Sequence, residues 1–149
     1  MTEPKTPKNI VLYADDDIDD LQLVKEAFLQ YANNVEVVTV NDGTEALEYL
    51  DNLPESSPLP CLILLDINMP RMTGKEALMK LRQKERFTTI PAILFTTSSM
   101  PLDKDFATKY NAGFITKPID VRQMELITDQ FIDHCTEEAK RNMQRQLKK

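Results

Sequence analysis

Three short, almost continuously apolar runs constrain the fold of this chain more than any other feature of its sequence. They are IVLYA at 10–14, CLILL at 61–65 and AILFT at 92–96. A strand that is apolar at nearly every position is covered on both faces, which is typical of a parallel sheet between two layers of helices. Together with VEVVTV at 35–40 and FIT at 114–116, these runs predict five strands.

The stretches between and after these strands carry apolar residues three or four positions apart, which predicts helices. These stretches are 21–31, 46–50, 77–81, 98–112 and the segment from Asp120 onward. Strands and helices therefore alternate five times along the chain. Because parallel strands are joined by right-handed crossovers, this alternation favours a doubly wound α/β sheet.

The length of 149 residues is enough for one domain with a sizeable core. We expect this domain to span 9–133, between an extended or disordered N-terminus at 1–8 and a basic helical extension at 134–149. Two interpretations of the extension stay open. It is either a solvated helix end or a longer helix that binds a partner or a second copy of the chain.

Composition narrows the possible partners of the chain. No apolar run reaches the roughly 18 residues that a membrane span needs, and the first residues lack the apolar stretch of a secretory signal. Cys61 and Cys135 form no CxxC pair, which indicates a reducing compartment. The net charge of −6 disfavours a nucleic-acid surface. We therefore expect a cytoplasmic protein that binds neither membranes nor nucleic acid.

Polar residues stand at the carboxyl ends of four predicted strands. Asp15 and Asp16 follow the first strand, Asp66 follows 61–65, Thr96 ends 92–96 and Lys117 follows the last strand. Ligands of such sheets bind outside the carboxyl ends of the strands, so we expect these groups to converge. The ionisation of several neighbouring carboxylates is unfavourable unless a cation lies among them. Oxygen ligands of this kind suit Mg²⁺.

A metal ion, a lysine and a hydroxyl around one carboxylate can stabilise phosphoryl transfer to that carboxylate, which would form an aspartyl phosphate on Asp66. The acidic residues that follow the first strand also have a simpler interpretation, because Asp is favoured at helix N-termini. We assign Asp17, Asp19 and Asp20 to such a solvated helix entry.

Four segments resemble the receiver domains of two-component response regulators over roughly residues 9–133. They are VLYADD at 11–16, LLDINMPRMTG at 64–74, ILFTTS at 93–98 and FITKP at 114–118. The resemblance implies a flavodoxin-like fold, in which a five-stranded parallel sheet of order 2-1-3-4-5 is accompanied by five helices.

The resemblance also implies roles for individual residues. Asp66 would be the phospho-acceptor, and Asp15 and Asp16 would be an acidic pair for Mg²⁺, with Asp16 as the direct ligand. The backbone carbonyl of Asn68 would complete the metal site, and Pro118 matches the cis-proline of the family.

Four further positions follow from the same resemblance. Lys117 would contact the phosphoryl group, Thr96 would be the switch hydroxyl and Phe114 the switch aromatic residue. Asn68 and Ser98 would tune the lifetime of the phosphorylated form.

By resemblance, the chain is a single-domain response regulator that is phosphorylated by a histidine kinase or a histidine phosphotransfer protein. It would signal to a protein partner through the face formed by 98–112, strand 114–116 and the last helix. It would be a monomer or weak homodimer and would catalyse only its own phosphorylation and dephosphorylation, so we do not expect an enzyme.

Two alternatives stay open. One is a phosphate-independent scaffold on the same fold. The other is an aspartyl-phosphate phosphohydrolase, although such an enzyme needs a second acid where this chain has Asn68.

Overall fold

The computed structural model describes residues 8–32, 34–118 and 120–135. Within this part of the chain, five strands alternate with five α-helices, and a short 3₁₀ helix at Leu29–Tyr31 follows the first of them. The elements in chain order are β1 (Asn9–Ala14), α1 (Ile18–Ala27), β2 (Val35–Val40), α2 (Gly43–Asp51), β3 (Leu62–Leu65), α3 (Gly74–Gln83), β4 (Ala92–Thr96), α4 (Pro101–Lys109), β5 (Gly113–Thr116) and α5 (Val121–His134).

The five strands form one parallel sheet in the order β2-β1-β3-β4-β5, as predicted. The central strands β3 and β4 are buried at every position. This confirms the prediction, made from their continuous apolar runs, that both faces of these strands are covered. The chain order reverses direction between β1 and β3. The crevice at their carboxyl ends is therefore the place where this kind of sheet binds ligands.

Two apolar clusters fill the space between the sheet and its helices. One lies under α1 and α5, where Phe131 stacks on Phe28 with ring centroids 6.0 Å apart and meets Phe95 edge-on at 5.2 Å. The other lies under α2, α3 and α4, and includes Leu50 and Leu78. The sheet is thus covered on both faces, as the sequence predicts.

Side-chain caps fix where the helices begin. Asp17 accepts from the backbone N–H groups of Asp19 and Asp20, and Asp42 accepts from that of Glu45. Such caps satisfy backbone donors at the first turn of a helix. The capping role predicted for Asp17 is therefore confirmed. Because the helices run antiparallel to the strands, these N-termini lie at the carboxyl end of the sheet.

Gly74 sets the path of the chain after β3. A Cβ atom at this position would lie 2.1 Å from the backbone oxygen of Asp66, which no side chain tolerates. The backbone N–H of Gly74 instead donates to the carbonyl of Ile67 at 3.1 Å. Glycine therefore lets α3 start directly against the backbone of Asp66 and holds that residue at the edge of the sheet.

The structure contains, in its described residues, no helix that is both long and apolar enough to cross a membrane. Helix α5 ends at His134, and Cys135 is its C-cap. The predicted extension beyond this residue and the N-terminal residues 1–7 lie outside the described part of the chain.

Candidate functional site

Three carboxylates meet at the crevice between β1 and β3. Asp15 and Asp16 follow β1, Asp66 follows β3, and one carboxylate oxygen of each lies within 4.8 Å of the others. Asp15 and Asp66 are buried, with exposed fractions of 0% and 6%, whereas Asp16 is exposed. Two carboxylates of the site are thus buried, and the third is open to solvent.

Lys117 brings an ammonium group into this cluster from the end of β5. Its Nζ lies 2.7 Å from Oδ2 of Asp15, 2.7 Å from Oδ2 of Asp20 and 3.3 Å from Oδ2 of Asp66. Burial favours the neutral amine, but hydrogen bonds to Asp15 and Asp20 and the charge of Asp66 outweigh it and hold the pKa of Lys117 above its usual value. The lysine therefore stays charged inside the site.

Asp66 sits in an environment that opposes its ionisation. Burial, and to a lesser extent the charge of Asp15, raises the pKa of Asp66 to about 6, against the opposing effect of Lys117 and of the backbone N–H of Asn68. At neutral pH the group is thus mostly a carboxylate. It is held among other negative charges and has little water around it.

Tyr13 and Asp20 are two members of the site that sequence reasoning missed. The phenol of Tyr13 donates to Oδ2 of Asp15 at 2.5 Å, and burial together with the charge of Asp15 holds its pKa above the usual value. Its position near the end of β1, two residues before Asp15 and hence on the same side of the extended backbone, was a usable signal. Asp20 lies in the first turn of α1, as predicted, but it is more than a solvated acid because it pairs with Lys117.

Thr96 and Ser98 are linked at the end of β4. Thr96 is fully buried, its carbonyl accepts from the backbone N–H of Lys117 at 2.7 Å, and its Oγ1 accepts from the backbone N–H of Ser98 at 3.3 Å. The hydroxyl of Ser98 donates to Asp103 at 2.5 Å, and Asp103 forms an ion pair with Lys75 of α3. The loop after β4 is therefore fastened to both α4 and α3.

Phe114 and Asn68 are two further residues that the sequence analysis assigns to the site. Phe114 is half-buried, pairs with Leu94 across the β4–β5 ladder and has Nζ of Lys104 5.9 Å from its ring centroid. The side chain of Asn68 is exposed, although its backbone N–H reaches Asp66.

The expectation of a cis bond before Pro118 is wrong, since none of the described peptide bonds is cis. The trans form is the intrinsically preferred one for a bond before proline.

The residues present fit a hard divalent cation. All three clustered side chains offer carboxylate oxygens, two of them are buried, and the acids that surround Lys117 outnumber it. Mg²⁺ and similar ions take such oxygen ligands and usually keep several waters, for which the open side of Asp16 leaves room.

Comparison with known proteins identifies the family. A model of the response regulator receiver domain matches residues 11–129. Response regulator Rcp1 of Synechocystis is 33% identical over 100 residues, which cover 66% of this chain and 68% of Rcp1. Response regulator Rre1 of the same organism is 34% identical over 116 residues, 74% of this chain and 47% of Rre1. The chain belongs to the response regulator receiver domains of two-component signalling.

Solved structures agree with this family. The phosphorylated cyanobacterial phytochrome response regulator RcpA has a TM-score of 0.76 at 28% identity, over 87% of this chain and 98% of RcpA. The Mn²⁺-bound form of Rcp1 has a TM-score of 0.75 at 28% identity and the same coverage. The chemotaxis regulator CheY4 of Vibrio cholerae has a TM-score of 0.67 at 32% identity, over 83% of this chain and 98% of CheY4.

Proposed function

We propose that this receiver domain accepts a phosphoryl group on Asp66, in a Mg²⁺-dependent reaction, from a histidine kinase or a histidine phosphotransfer protein. The observation that carries the proposal is the contact between a buried carboxylate and an ammonium group 3.3 Å away, beside two further carboxylates. A phosphorylated structure of RcpA and a Mn²⁺-bound structure of Rcp1 among the similar proteins support it.

The metal would be held by the carboxylates of Asp15, Asp16 and Asp66 and by the backbone carbonyl of Asn68. When bound, Mg²⁺ neutralises charge on the oxygens of a transferring phosphoryl group. The phenol of Tyr13 and the backbone N–H of Asp17 fix the carboxylate of Asp15, with hydrogen bonds of 2.5 and 2.9 Å. Asp15 therefore enters the site already oriented.

Asp66 would act as the nucleophile through its ionised carboxylate. Lys117 lies close enough to contact a phosphoryl oxygen and to balance the charge that the modification adds. Thr96 would supply its hydroxyl to another phosphoryl oxygen and give up the bond that it accepts from Ser98. Asn68 and Ser98, which border the nucleophile and the hydroxyl, are the positions that we expect to tune the phosphoryl lifetime.

The signal would leave the domain through the face formed by α4, β5 and α5. Movement of Thr96 and Lys117 toward the phosphoryl group would free space for Phe114 and bias a two-state equilibrium. The same face carries large apolar side chains in contact with water, since Met100, Leu102 and Leu126 are 59%, 72% and 70% exposed. Such exposure suits a protein partner.

The test is incubation of the chain with Mg²⁺ and acetyl phosphate, followed by intact-mass measurement. We expect one phosphoryl adduct per chain, lost in Asp66→Asn and on chelation of the metal, and retained in Asp51→Asn. Asp51 is a suitable control because it is an exposed acid paired with Lys84. No adduct in the wild type would favour a phosphate-independent scaffold, and continuous phosphate release from unrelated phosphoesters would favour a phosphohydrolase.

A further inference from the structure

Two cysteine thiols that play no part in the phosphoryl site touch each other at the opposite end of the sheet. The Sγ atom of Cys61 lies 3.7 Å from that of Cys135, and the two residues are 74 positions apart in sequence. Cys61 directly precedes β3, the strand that ends at Asp66, and Cys135 is the C-cap of α5. Their contact joins two elements that the chain brings together only by folding.

The backbone holds both cysteines in place. The N–H of Cys61 donates to the carbonyl of Ile10 at 2.9 Å, and the N–H of Cys135 donates to that of Ile132 at 3.0 Å. The thiol of Cys61 donates to the sulfur of Cys135, whose own thiol donates to the carbonyl of Phe131 at 3.6 Å. The two sulfur atoms are therefore oriented toward each other by a continuous set of hydrogen bonds.

The surroundings of the pair favour reaction between the two sulfur atoms over other cysteine chemistry. Both residues are buried in the apolar cluster under α1 and α5, with exposed fractions of 4% and 6%. Among the described residues, the cluster of three potential metal ligands is the acidic one at the other end of the sheet, so no third ligand joins the thiols. Burial also leaves little room for a bulky adduct on either sulfur.

We propose that Cys61 and Cys135 form a redox modification site, in which a small hydroperoxide converts the two thiols into a disulfide between the start of β3 and the end of α5. The sulfur of one cysteine attacks the peroxide, the O–O bond breaks, and a sulfenic acid and water form. The second thiol then attacks this sulfur, the S–O bond breaks and a second water leaves. Two thiols and one hydrogen peroxide thus give one disulfide and two waters.

To form the bond, the two sulfur atoms must approach each other from their present separation of 3.7 Å. Sulfur atoms in a disulfide are about 2.05 Å apart. The bridge would close a long loop, which restricts the unfolded chain and raises thermal stability. It would also tie the end of α5 to the strand that carries Asp66. The proposal does not depend on phosphorylation of that residue.

The test uses the full reduced chain in its native state, treated with hydrogen peroxide and then unfolded in iodoacetamide. We expect the number of alkylated cysteines to fall from two to zero, with a cross-linked peptide that contains Cys61 and Cys135. We also expect the thermal midpoint to rise and to return after dithiothreitol. Oxidised methionines add oxygen to a peptide but do not change the number of alkylated cysteines.

Cys61→Ala and Cys135→Ala are the matched variants, and neither should show a peroxide-dependent, dithiothreitol-reversible rise of the thermal midpoint. The wild-type result stands on its own if either variant fails to fold. Three results would overturn the proposal: both cysteines still alkylated after peroxide, a disulfide between two chains, or sulfinic and sulfonic acids without an intramolecular cross-link.

Discussion

The two ends of the sheet surround their cationic side chains with opposite kinds of partner. At the carboxyl end, Lys117 faces the carboxylates of Asp15, Asp20 and Asp66. At the amino end, Arg82 reaches uncharged partners instead, with hydrogen bonds of 2.8 to 3.2 Å to the carbonyls at the end of α4 and before β4. One end concentrates charge, whereas the other satisfies its polar groups with backbone.

This difference distinguishes the end of the sheet where we propose that phosphorylation occurs from the end that only holds the chain together. The carbonyls around Arg82 need a hydrogen-bond donor. The arginine supplies it and so links residues 88–90 to residues 110–111. Carboxylates around Lys117 remain in excess, and an excess of buried charge is costly until a cation or a reaction changes it. The carboxyl end therefore holds an excess of negative charge that is unfavourable without a cation, and the amino end does not.

The largest effect is expected from Lys117→Met. Removal of the ammonium leaves Asp15 and Asp66 without the cation that balances them, and it would remove the contact that we propose to the transferring phosphoryl group. We expect phosphorylation by acetyl phosphate to slow by roughly 100-fold or more, measured as the rate of adduct formation. In Lys84→Met, which removes an exposed ammonium, the rate should be unchanged. A rate for Lys117→Met close to that of the wild type would contradict the role of this lysine.

Arg82→Met tests the other end of the sheet. The variant deprives four carbonyls of their donor, so we expect a loss of about 2–4 kcal/mol in the free energy of unfolding, measured in urea. Adduct formation on Asp66 should persist. Arg86→Met is a matched control, because this arginine donates to two loop carbonyls, those of Leu53 and Pro54, and it should cost less. Loss of phosphorylation without loss of stability in Arg82→Met would contradict the purely structural role of the amino end.

A smaller effect is expected from pH in the absence of metal. Because burial raises the pKa of Asp66 from 3.8 to about 6, the folded chain binds a proton that the unfolded chain has released. This group therefore contributes stability at low pH that is lost as the pH rises through that window. In EDTA, the thermal midpoint of the wild type should fall relative to that of Asp66→Asn between about pH 4 and pH 6. Parallel curves for the two proteins would show that Asp66 is not held in an unfavourable environment.

Much of the fold could be predicted from the sequence because its cues are local. Continuous apolar runs predict the buried strands, and parallel strands joined through a helix cross over with one handedness. The placement of polar residues directly after the strands then predicts that Asp15, Asp16, Asp66, Thr96 and Lys117 meet at one edge. The structure brings the three carboxylates and Lys117 together, and Thr96 is joined to Lys117 through its backbone carbonyl.

The sequence did not predict which side chains pair with each other at that edge. Lys117 lies closer to Asp15 and Asp20 than to Asp66, although Asp20 is on a helix and is 97 positions away in sequence. The contact between Cys61 and Cys135 likewise joins residues that are far apart in sequence. The hydrogen bonds from Arg82 to distant backbone carbonyls do the same. A sequence alone determines which elements form and which edge gathers polar groups, because propensity and burial are read residue by residue. Only the tertiary structure decides which side chains touch, because that depends on how helices settle on the sheet and which rotamers their packing allows.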